Sequence, residues 1–363
     1  MSEKKRGHAA HIVKRSAIPW YQALGIRAAA IAISIAVCGV ITYFVTGDDP
    51  INVFKTIFEG NFASSRRLWV LLHNISILLI ISLAMAPAFR MRFWNIGGEG
   101  QVMIGVLAAS SCMIMLGGKM PNGVLIFLEV AAAAAAGAVW GGIPAFFKSK
   151  WNTNETLFTL MMNYVATQLV AYFIIRWESP RGSGNIGIIN SATKAGWFSQ
   201  IAGQKYVITV IVAAALTILL FIYMNYSKHG YELAVVGESE KTARYVGIKV
   251  GRVIVRTMLL SGAICGIAGA IMVGGVDHTM TTTLAGGRGF TAVMVAWMAK
   301  FNPIGMIFTS FLIAFMGKGA GEVATQFGLD QSFSDILTSV IIFFLIGCEF
   351  FIQYKVVLRK EAK

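Results

Sequence analysis

The chain carries ten apolar runs separated by polar segments, and most of these runs are long enough to cross a bilayer. A helix needs about 20 apolar residues to cross the hydrocarbon core, where every backbone amide and carbonyl must find a partner inside the protein. We therefore predict an all-α integral membrane protein with about ten transmembrane helices. The runs lie at 27–46, 69–89, 101–116, 123–147, 156–177, 206–224, 254–276, 289–300, 303–321 and 333–354.

The composition excludes a soluble globular protein. Of the 363 residues, 56% are hydrophobic and only 13% are charged, whereas soluble domains carry about 25% charged residues. The 31 Lys and Arg exceed the 17 Asp and Glu, which gives a formal net charge of +14. These cations lie at the ends of the apolar runs and not on one face interleaved with aromatic residues, which excludes a nucleic-acid-binding function.

The positions of the cations also predict the orientation. Lys and Arg concentrate in residues 1–26, in the loop 226–253 and in the tail 355–363. Because cytoplasmic segments are enriched in these cations, we place both termini and this loop in the cytoplasm, and the transmembrane domain at 27–354. The first apolar run lacks a signal-peptide cleavage site and is expected to be retained. The predicted location is the bacterial cytoplasmic (inner) membrane, crossed several times, with 289–300 as the shortest span.

The loop 226–253 contains the signals for one short helix. Ser239 can accept a backbone N–H as an N-cap, and Glu240 then lies near the positive end of the helix dipole. Gly237 is expected to break the preceding backbone, so the predicted helix runs from Glu240 to the residue before Gly247, where it ends. Such a helix suits the transfer of force between a soluble partner and the neighbouring spans. A solvated charged linker is the alternative.

Residues 95–101 read Asn-Ile-Gly-Gly-Glu-Gly-Gln and form the most specific string in the chain. The three glycines permit a sharp turn between two spans, and the amides of that turn need partners inside the protein or along a wet cavity. A second glycine-rich string, at 286–292, parallels residues 97–103, and an apolar segment and a Pro-x-Gly follow each. The first string is expected near the cytoplasmic end of its span and the second near the outer end of its span, which predicts an inverted repeat.

A polar stripe occupies one predicted helix. Thr156, Thr159, Asn163 and Thr167 recur at the spacing of a single helix face. A polar stripe inside a span can line a translocation path, or it can form hydrogen bonds to a neighbouring helix. The sequence leaves both interpretations open.

Other parts of the chain give weaker signals. The four cysteines fall in different apolar runs without a Cys-x-x-Cys spacing, so no metal or redox site is expected. The phosphate-binding string Gly-x-x-x-x-Gly-Lys-Ser/Thr is absent from the sequence, so any ATP must bind to another chain. The segment 178–205 is either an ordered docking cap for an external partner or a flexible loop. Small residues at four-residue spacing in the runs 123–147 and 254–276 predict close helix packing.

Four strings together resemble the permeases of ABC importers in the branched-chain amino acid, ribose and nucleoside group. They are residues 95–101, 154–164, 237–248 and 287–305. The first two are most similar to the nucleoside-type branch. In the third string, Ser239 and Thr242 replace the Asn and one Ala that the family favours, and residues 291–300 are bulkier than the family pattern.

The resemblance implies a permease subunit that forms the translocation path for a small polar solute, with a nucleoside or a simple sugar as the expected substrate. It implies an ABC ATPase subunit that binds ATP and Mg²⁺, a second permease, identical or similar, and an external solute-binding protein. No catalytic residue, metal or cofactor is expected on this chain. The residues expected to form a coupling helix to the ATPase are Gly237, Ser239, Glu240, Ala243, Gly247 and Ile248. Those expected at the path or its broken-helix motif are Asn95, Gly97, Gly98, Glu99, Gly100, Gln101, Thr159, Asn163, Thr167, Gly287, Gly289 and Phe290.

Two other functional classes stay open from the residues alone. An ion-coupled secondary transporter needs a coupling carboxylate buried in a span. An intramembrane enzyme needs a nucleophile with its base or a set of metal ligands. The sequence shows neither arrangement clearly, and it does not specify the solute.

Overall fold

The computed structural model describes residues 10–15, 19–47 and 49–358. Within them the chain forms α-helices, one π-helix at Ile271–Asp277, and a sheet of two strands, β1 (Ala10–Lys14) and β2 (Tyr354–Leu358). The α-helices are α1 (Trp20–Thr46), α2 (Pro50–Phe62), α3 (Ser65–Arg90), α4 (Gly98–Leu116), α5 (Asn122–Trp151), α6 (Glu155–Trp177), α7 (Val207–Tyr226), α8 (Lys228–Glu238), α9 (Glu240–Tyr245), α10 (Val250–Ala270), α11 (Arg288–Met298), α12 (Pro303–Gln326) and α13 (Gln331–Gln353).

All ten predicted apolar runs are helical. Nine helices in the described part of the chain are long and apolar enough to cross a membrane, which confirms the predicted all-α integral membrane fold. The run 289–300 is helical, as predicted, but it is not a tenth span, because α11 has 11 residues and spans about 16 Å against about 30 Å of hydrocarbon. Gly286 and Gly287 adopt positive φ values of 59° and 72°, so the chain cannot extend this helix towards its N-terminus.

The chain divides into two compact units, Met1–Arg67 with Phe315–Lys363, and Leu68–Ala314. In the first unit, β1 and β2 pair antiparallel, with Ala10 opposite Leu358 and Lys14 opposite Tyr354. This pairing sets the two end segments of the chain side by side. It is the arrangement expected if both termini leave the membrane on one side, and the identity of that side stays a prediction.

Helix α1 begins earlier than the predicted domain boundary at Arg27. It starts at Trp20, directly after Pro19, whose fixed φ suits a helix start. Arg27 then lies inside the helix, where its Nε donates to Glu349 Oε1 of α13 at 2.9 Å. The ion pair neutralises a carboxylate that the sequence places inside a span, and it joins α1 to α13 in the first unit.

In the second unit, α5 and α10 pack through their small residues. A Cβ on Gly262 would lie 2.1 Å from the Gly137 carbonyl oxygen, and one on Gly266 would lie 2.0 Å from the Ala133 carbonyl oxygen. Real Cβ atoms do not approach so closely, so any larger residue would force the two helices apart. The predicted close-packing faces are confirmed, and they fix α10 at the centre of this unit, where α4 also packs against it.

Candidate functional site

Helix α9 is the short helix that the sequence predicts in the loop between α7 and α10. Ser239 is extended (φ −159°, ψ 117°), and its Oγ accepts the Thr242 N–H at 3.2 Å, so Ser239 is the N-cap. Gly247 has a φ of +84°, a conformation that costs other residues about 1–2 kcal/mol. The Ile248 N–H then donates to the Ala243 carbonyl at 2.9 Å and closes the helix after Tyr245.

One side of α9 is packed and the other side is free. Ala243 is fully buried in an apolar cluster with Leu233 and Val236. Tyr245 is 91% exposed and Val246 is 55% exposed. A solvated linker would not bury Ala243, so that alternative does not describe this segment. An anchored helix that exposes an aromatic side chain is suited to dock a protein partner.

Gly237 does not break the backbone, as the sequence had suggested. It lies in the last turn of α8, a helix that was not predicted, and the break comes at Ser239. A Cβ on Gly237 would lie 2.1 Å from the Arg90 carbonyl oxygen at the end of α3, so the glycine permits close contact between the loop and α3. The signal for α8 is Ser227, whose Oγ caps the helix by accepting the Gly230 N–H at 3.1 Å.

The glycine-rich turn before α4 is organised by the buried side chain of Asn95. Its Oδ1 accepts the Gly97 N–H at 3.0 Å and a hydrogen bond from Gln101 Nε2 at 3.3 Å. Its Nδ2 donates to Ser261 Oγ of α10 at 3.1 Å. A buried amide must be hydrogen-bonded to be tolerated, and these bonds tie the turn to α10. Sequence reasoning missed Ser261, because an isolated hydroxyl in an apolar run gives no local signal.

The polar stripe of α6 contacts the same turn. Thr159 Oγ1 accepts the Ile96 N–H at 3.2 Å, and Asn163 Oδ1 accepts the Gly100 N–H at 2.8 Å. Asn163 Nδ2 also donates to the Ile96 carbonyl at 2.9 Å. Both side chains are buried, and Thr167 Oγ1 donates to the Asn163 carbonyl in its own helix. This geometry corresponds to hydrogen bonding between helices, the second of the two interpretations of the stripe.

Glu99 joins the starts of α4 and α11. Its Oε1 accepts the Gly287 N–H at 2.8 Å, and its Oε2 accepts the Gly289 N–H at 2.7 Å. Unpaired amides at a helix N-terminus carry partial positive charge and favour a carboxylate by about 0.3–2 kcal/mol. Glu99 also lies in the first turn of α4, so its charge is shared between two helix N-termini. The two glycine strings that resemble each other in sequence therefore meet in space. They do not lie at opposite faces of the membrane, so that part of the prediction is wrong.

The backbones of α4 and α11 touch at this point. A Cβ on Gly289 would lie 2.1 Å from the Glu99 amide nitrogen, and one on Gly98 would lie 3.5 Å from the Gly289 Cα. Phe290 is 42% exposed, so the structure does not place this predicted site residue in the buried contact. A residue that sequence reasoning missed, Arg288, donates from Nη2 to Asn74 Oδ1 of α3 at 3.4 Å.

Most of this chain matches a known family of proteins. Residues 68–346 match the model of a family described as "Branched-chain amino acid transport system / permease component". The chain belongs to this family. It is a multi-pass permease of the cytoplasmic (inner) membrane, and it is a transport component and not an enzyme.

Three curated relatives extend the similarity over most of the permease. A glucose ABC transporter permease protein of Haloferax volcanii is 27% identical over 94% of this chain and 92% of its own length. A guanosine ABC transporter permease protein of Bacillus subtilis is 28% identical, over 85% and 88%. A nucleoside ABC transporter permease protein of Lactococcus lactis is 24% identical, over 90% and 91%.

The long segment 178–205 between α6 and α7 is held in place by hydrogen bonds to the rest of the permease. Asn190 Nδ2 donates to the Met113 carbonyl at 2.8 Å, and the Gly196 N–H donates to Asn122 Oδ1 at 2.7 Å. The Phe198 N–H donates to the Gly274 carbonyl of the π-helix at 2.8 Å. These bonds fix the segment against α4, α5 and the π-helix, so the flexible-loop alternative does not describe it.

The first turn of this segment is held by Glu178. Its carboxylate accepts the Gly182 N–H at 2.6 Å and the Gly184 N–H at 2.9 Å. These two backbone hydrogen bonds favour the charged form and lower the pKa of Glu178 below its ordinary value. The carboxylate is therefore part of the fold of the segment.

Proposed function

We propose that this permease forms the translocation path of an ABC importer for a small polar solute, either a nucleoside or a simple sugar. ATP hydrolysis on a separate ATPase subunit would move α9 and thereby α10. The observation that supports this proposal is that α9 is packed on one side and exposed on the other. Ala243 is buried against the rest of the protein, and Tyr245 is exposed. A short, capped and anchored helix of this kind transmits a push from a bound partner, whereas an unstructured linker would absorb it.

The substrate class is supported by the relatives and by the chemistry around Glu99. Relatives of this chain are named for glucose, guanosine and nucleoside transport. Helix N-termini bind anions readily, but the Glu99 carboxylate already fills the N-terminus of α11. An anionic solute would meet this carboxylate, whereas a neutral polyhydroxylated solute would not be repelled. The buried amides and hydroxyls around the turn suit such a solute once the helices separate.

The proposal requires partners beyond this chain. An ATPase subunit would carry ATP and Mg²⁺ and contact α9, and a second permease, identical or similar, would complete the core. An external solute-binding protein would dock on the segment 178–205. This segment supports that role because it is ordered and yet leaves Ile188 60% exposed and Ile201 44% exposed, and exposed apolar side chains on a fixed surface favour protein contact.

One observation favours a second candidate, an ion-coupled secondary transporter. Glu129 of α5 is fully buried, and neither of its carboxylate oxygens has a hydrogen-bond partner within the described residues. Ionisable groups buried in spans often bind the coupling proton or sodium ion of such carriers. In an ion-coupled transporter, Glu129 would bind the coupling ion, whereas an ATP-driven importer needs no such ion.

Uptake into proteoliposomes separates the two candidates. The full-length chain is reconstituted with the proteins that co-purify with it, and uptake of radiolabelled nucleosides and sugars is measured with internal ATP or with an imposed proton or sodium gradient. The importer requires ATP and the partner proteins, and it tolerates Glu129→Gln. Uptake by the chain alone that follows the ion gradient and is lost in Glu129→Gln would establish the carrier instead.

A further inference from the structure

A polar groove of about 350 Å³ lies between the end of α5 and the helices α9 and α10. Its position matters because two of its walls belong to helix α9 and to the start of α10, the two elements proposed to move together. Charged and polar side chains line the groove, among them Lys148, Lys150, Asn152, Glu240 and Arg244.

The charges of the groove favour an anionic ligand. Lys148 pairs with Glu155 at 2.9 Å, and Arg244 pairs with Glu240 at 3.4 Å. Lys150 has no carboxylate partner within the part of the chain that the structure describes; its Nζ lies over aromatic rings instead. A phosphate in the groove would supply the counter-charge that Lys150 lacks and would form charge-assisted hydrogen bonds with the two other cations.

Aromatic side chains surround Lys150 at the end of α5. The Lys150 Nζ lies 5.4 Å from the centre of the Phe146 ring and 5.8 Å from that of Trp151. Trp151 is 60% exposed, Phe146 is 46% exposed and Phe147 is 37% exposed. Exposed aromatic residues at the end of a transmembrane helix mark the level of the lipid headgroups. The last turns of α5 thus carry both lysines of the groove and a surface suited to lipid.

We propose that this groove binds the phosphate of an anionic phospholipid from the cytoplasmic leaflet, with the acyl chains against Phe146, Phe147 and Trp151. Basic pockets between transmembrane helices on the cytoplasmic side commonly bind such headgroups. The aromatic surface favours a lipid over free phosphate or an acidic loop of a protein partner, because neither of these needs contact with exposed rings at the membrane interface.

The site would make α9 sensitive to the lipid. Arg244 lies in the last turn of α9 and Glu240 in its first turn, so a headgroup that attracts Arg244 competes with Glu240 and changes where α9 rests. This consequence rests on the proposed function, because it requires that α9 carries force from the ATPase. The binding of lipid itself does not depend on that role.

The test measures lipid retention and, separately, the ATPase that co-purifies with the chain. The full-length chain is purified from nanodiscs of phosphatidylcholine with or without phosphatidylglycerol, and native mass spectrometry counts the phosphatidylglycerol molecules that stay bound. The variants are Lys150→Gln, the double variant Lys150→Gln with Arg244→Gln, and the conservative Lys150→Arg. Lys228→Gln is the matched control, because it removes an exposed cation from the same loop region without touching the groove.

The expected result is about fivefold weaker retention of phosphatidylglycerol for each groove cation removed, the usual contribution of one cation at an anionic membrane. Lys150→Arg and Lys228→Gln should retain the lipid.

Equal retention by the double variant and the control would overturn the site, as would displacement of the lipid by millimolar inorganic phosphate, which would reveal a free-phosphate site. Loss of co-purifying ATPase from the double variant, with unchanged retention of phosphatidylglycerol in the mixed nanodiscs, would also overturn the site and would show that a protein surface occupies the groove. Because bound phosphatidylglycerol is counted without ATP or substrate, the lipid result could still be interpreted if the importer proposal failed.

Discussion

The Glu99 carboxylate accepts a hydrogen bond from the Gly289 backbone amide at 2.7 Å, across 190 residues of sequence. The second oxygen of the same carboxylate is bonded to Gly287, so one side chain from the first turn of α4 closes the N-terminus of α11. Each of the two helices begins in a glycine-rich string, and the glycines are needed because the two backbones touch there. This contact links the two parts of the second unit that resemble each other in sequence.

Replacing Glu99 by Gln should weaken this link. Glutamine offers one acceptor oxygen in place of two and carries no charge to interact with the helix dipoles, so the loss should be about 1.5–3 kcal/mol, the range for hydrogen bonds to charged groups. The measurement is thermal unfolding of the purified chain in nanodiscs, with solute uptake as a second readout. Glu238→Gln, an exposed carboxylate at the end of α8, is the control. Equal stability of the two variants would contradict the assigned role of Glu99.

Replacing Gly289 by Ala should be similarly damaging, although it adds only one methyl group. The new Cβ would lie 2.1 Å from the Glu99 amide nitrogen, so α4 and α11 must separate, at the 1–3 kcal/mol typical of overpacking. The comparison is Gly123→Ala, where a Cβ meets nothing within 4 Å. Unfolding temperatures that fall only for the Gly289 variant would support the contact, and two equal shifts would speak against it.

The exposed tyrosine of α9 should be needed for assembly with the ATPase. Tyr245→Ser removes a large side chain from the centre of the proposed interface and should weaken association by about 2 kcal/mol, as for other interface hot spots. Tyr231→Ser is the matched control, because Tyr231 is 65% exposed on the neighbouring helix α8. The amount of ATPase that co-purifies with each variant is measured beside ATP-driven uptake. Identical losses in both variants would indicate that α9 has no special part in docking.

The turn at Glu178 should depend on pH in a defined direction. Since the pKa of Glu178 is lowered in the folded protein, its hydrogen bonds stabilise the turn fully at a pH above the ordinary carboxyl pKa of 4.5. That stabilisation is lost as the pH falls through the lowered pKa. Hydrogen exchange of residues 179–187 should therefore speed up, relative to their intrinsic rates, only in strongly acidic buffer. In Glu178→Gln the exchange should be fast at neutral pH as well, and protection in that variant at neutral pH would disprove the role of the carboxylate.

Local signals in the sequence were sufficient for most of the helices. The apolar runs predicted the helices, and Ser239 and Gly247 predicted both ends of α9, because caps and left-handed turns depend on residues next to each other in the chain. The small residues of α5 and α10 likewise showed which faces pack closely. Helix α8 escaped prediction because Gly237 resembled a helix breaker, and only the position of the Arg90 carbonyl shows why a glycine is needed there.

Contacts between distant residues could not be predicted in the same way. The periodicity of Thr159 and Asn163 showed that they share a face, but it did not distinguish a path from a bond to the turn at 95–101. Helix α11 has nearly the bounds that the sequence predicted, 289–300, but its 11 residues are too few to cross the membrane as a tenth span.

The sequence by itself determined that this protein is an all-α membrane protein and where its long helices lie, since hydrophobic length and helix caps act over one or a few turns, and its motifs resemble those of the permease family. The tertiary structure alone decided that Glu99 closes the N-terminus of α11, that Asn95 bonds to Ser261, and that one face of α9 is left free. These pairings arise when helices far apart in sequence pack together and buried polar groups take the partners that packing brings within reach.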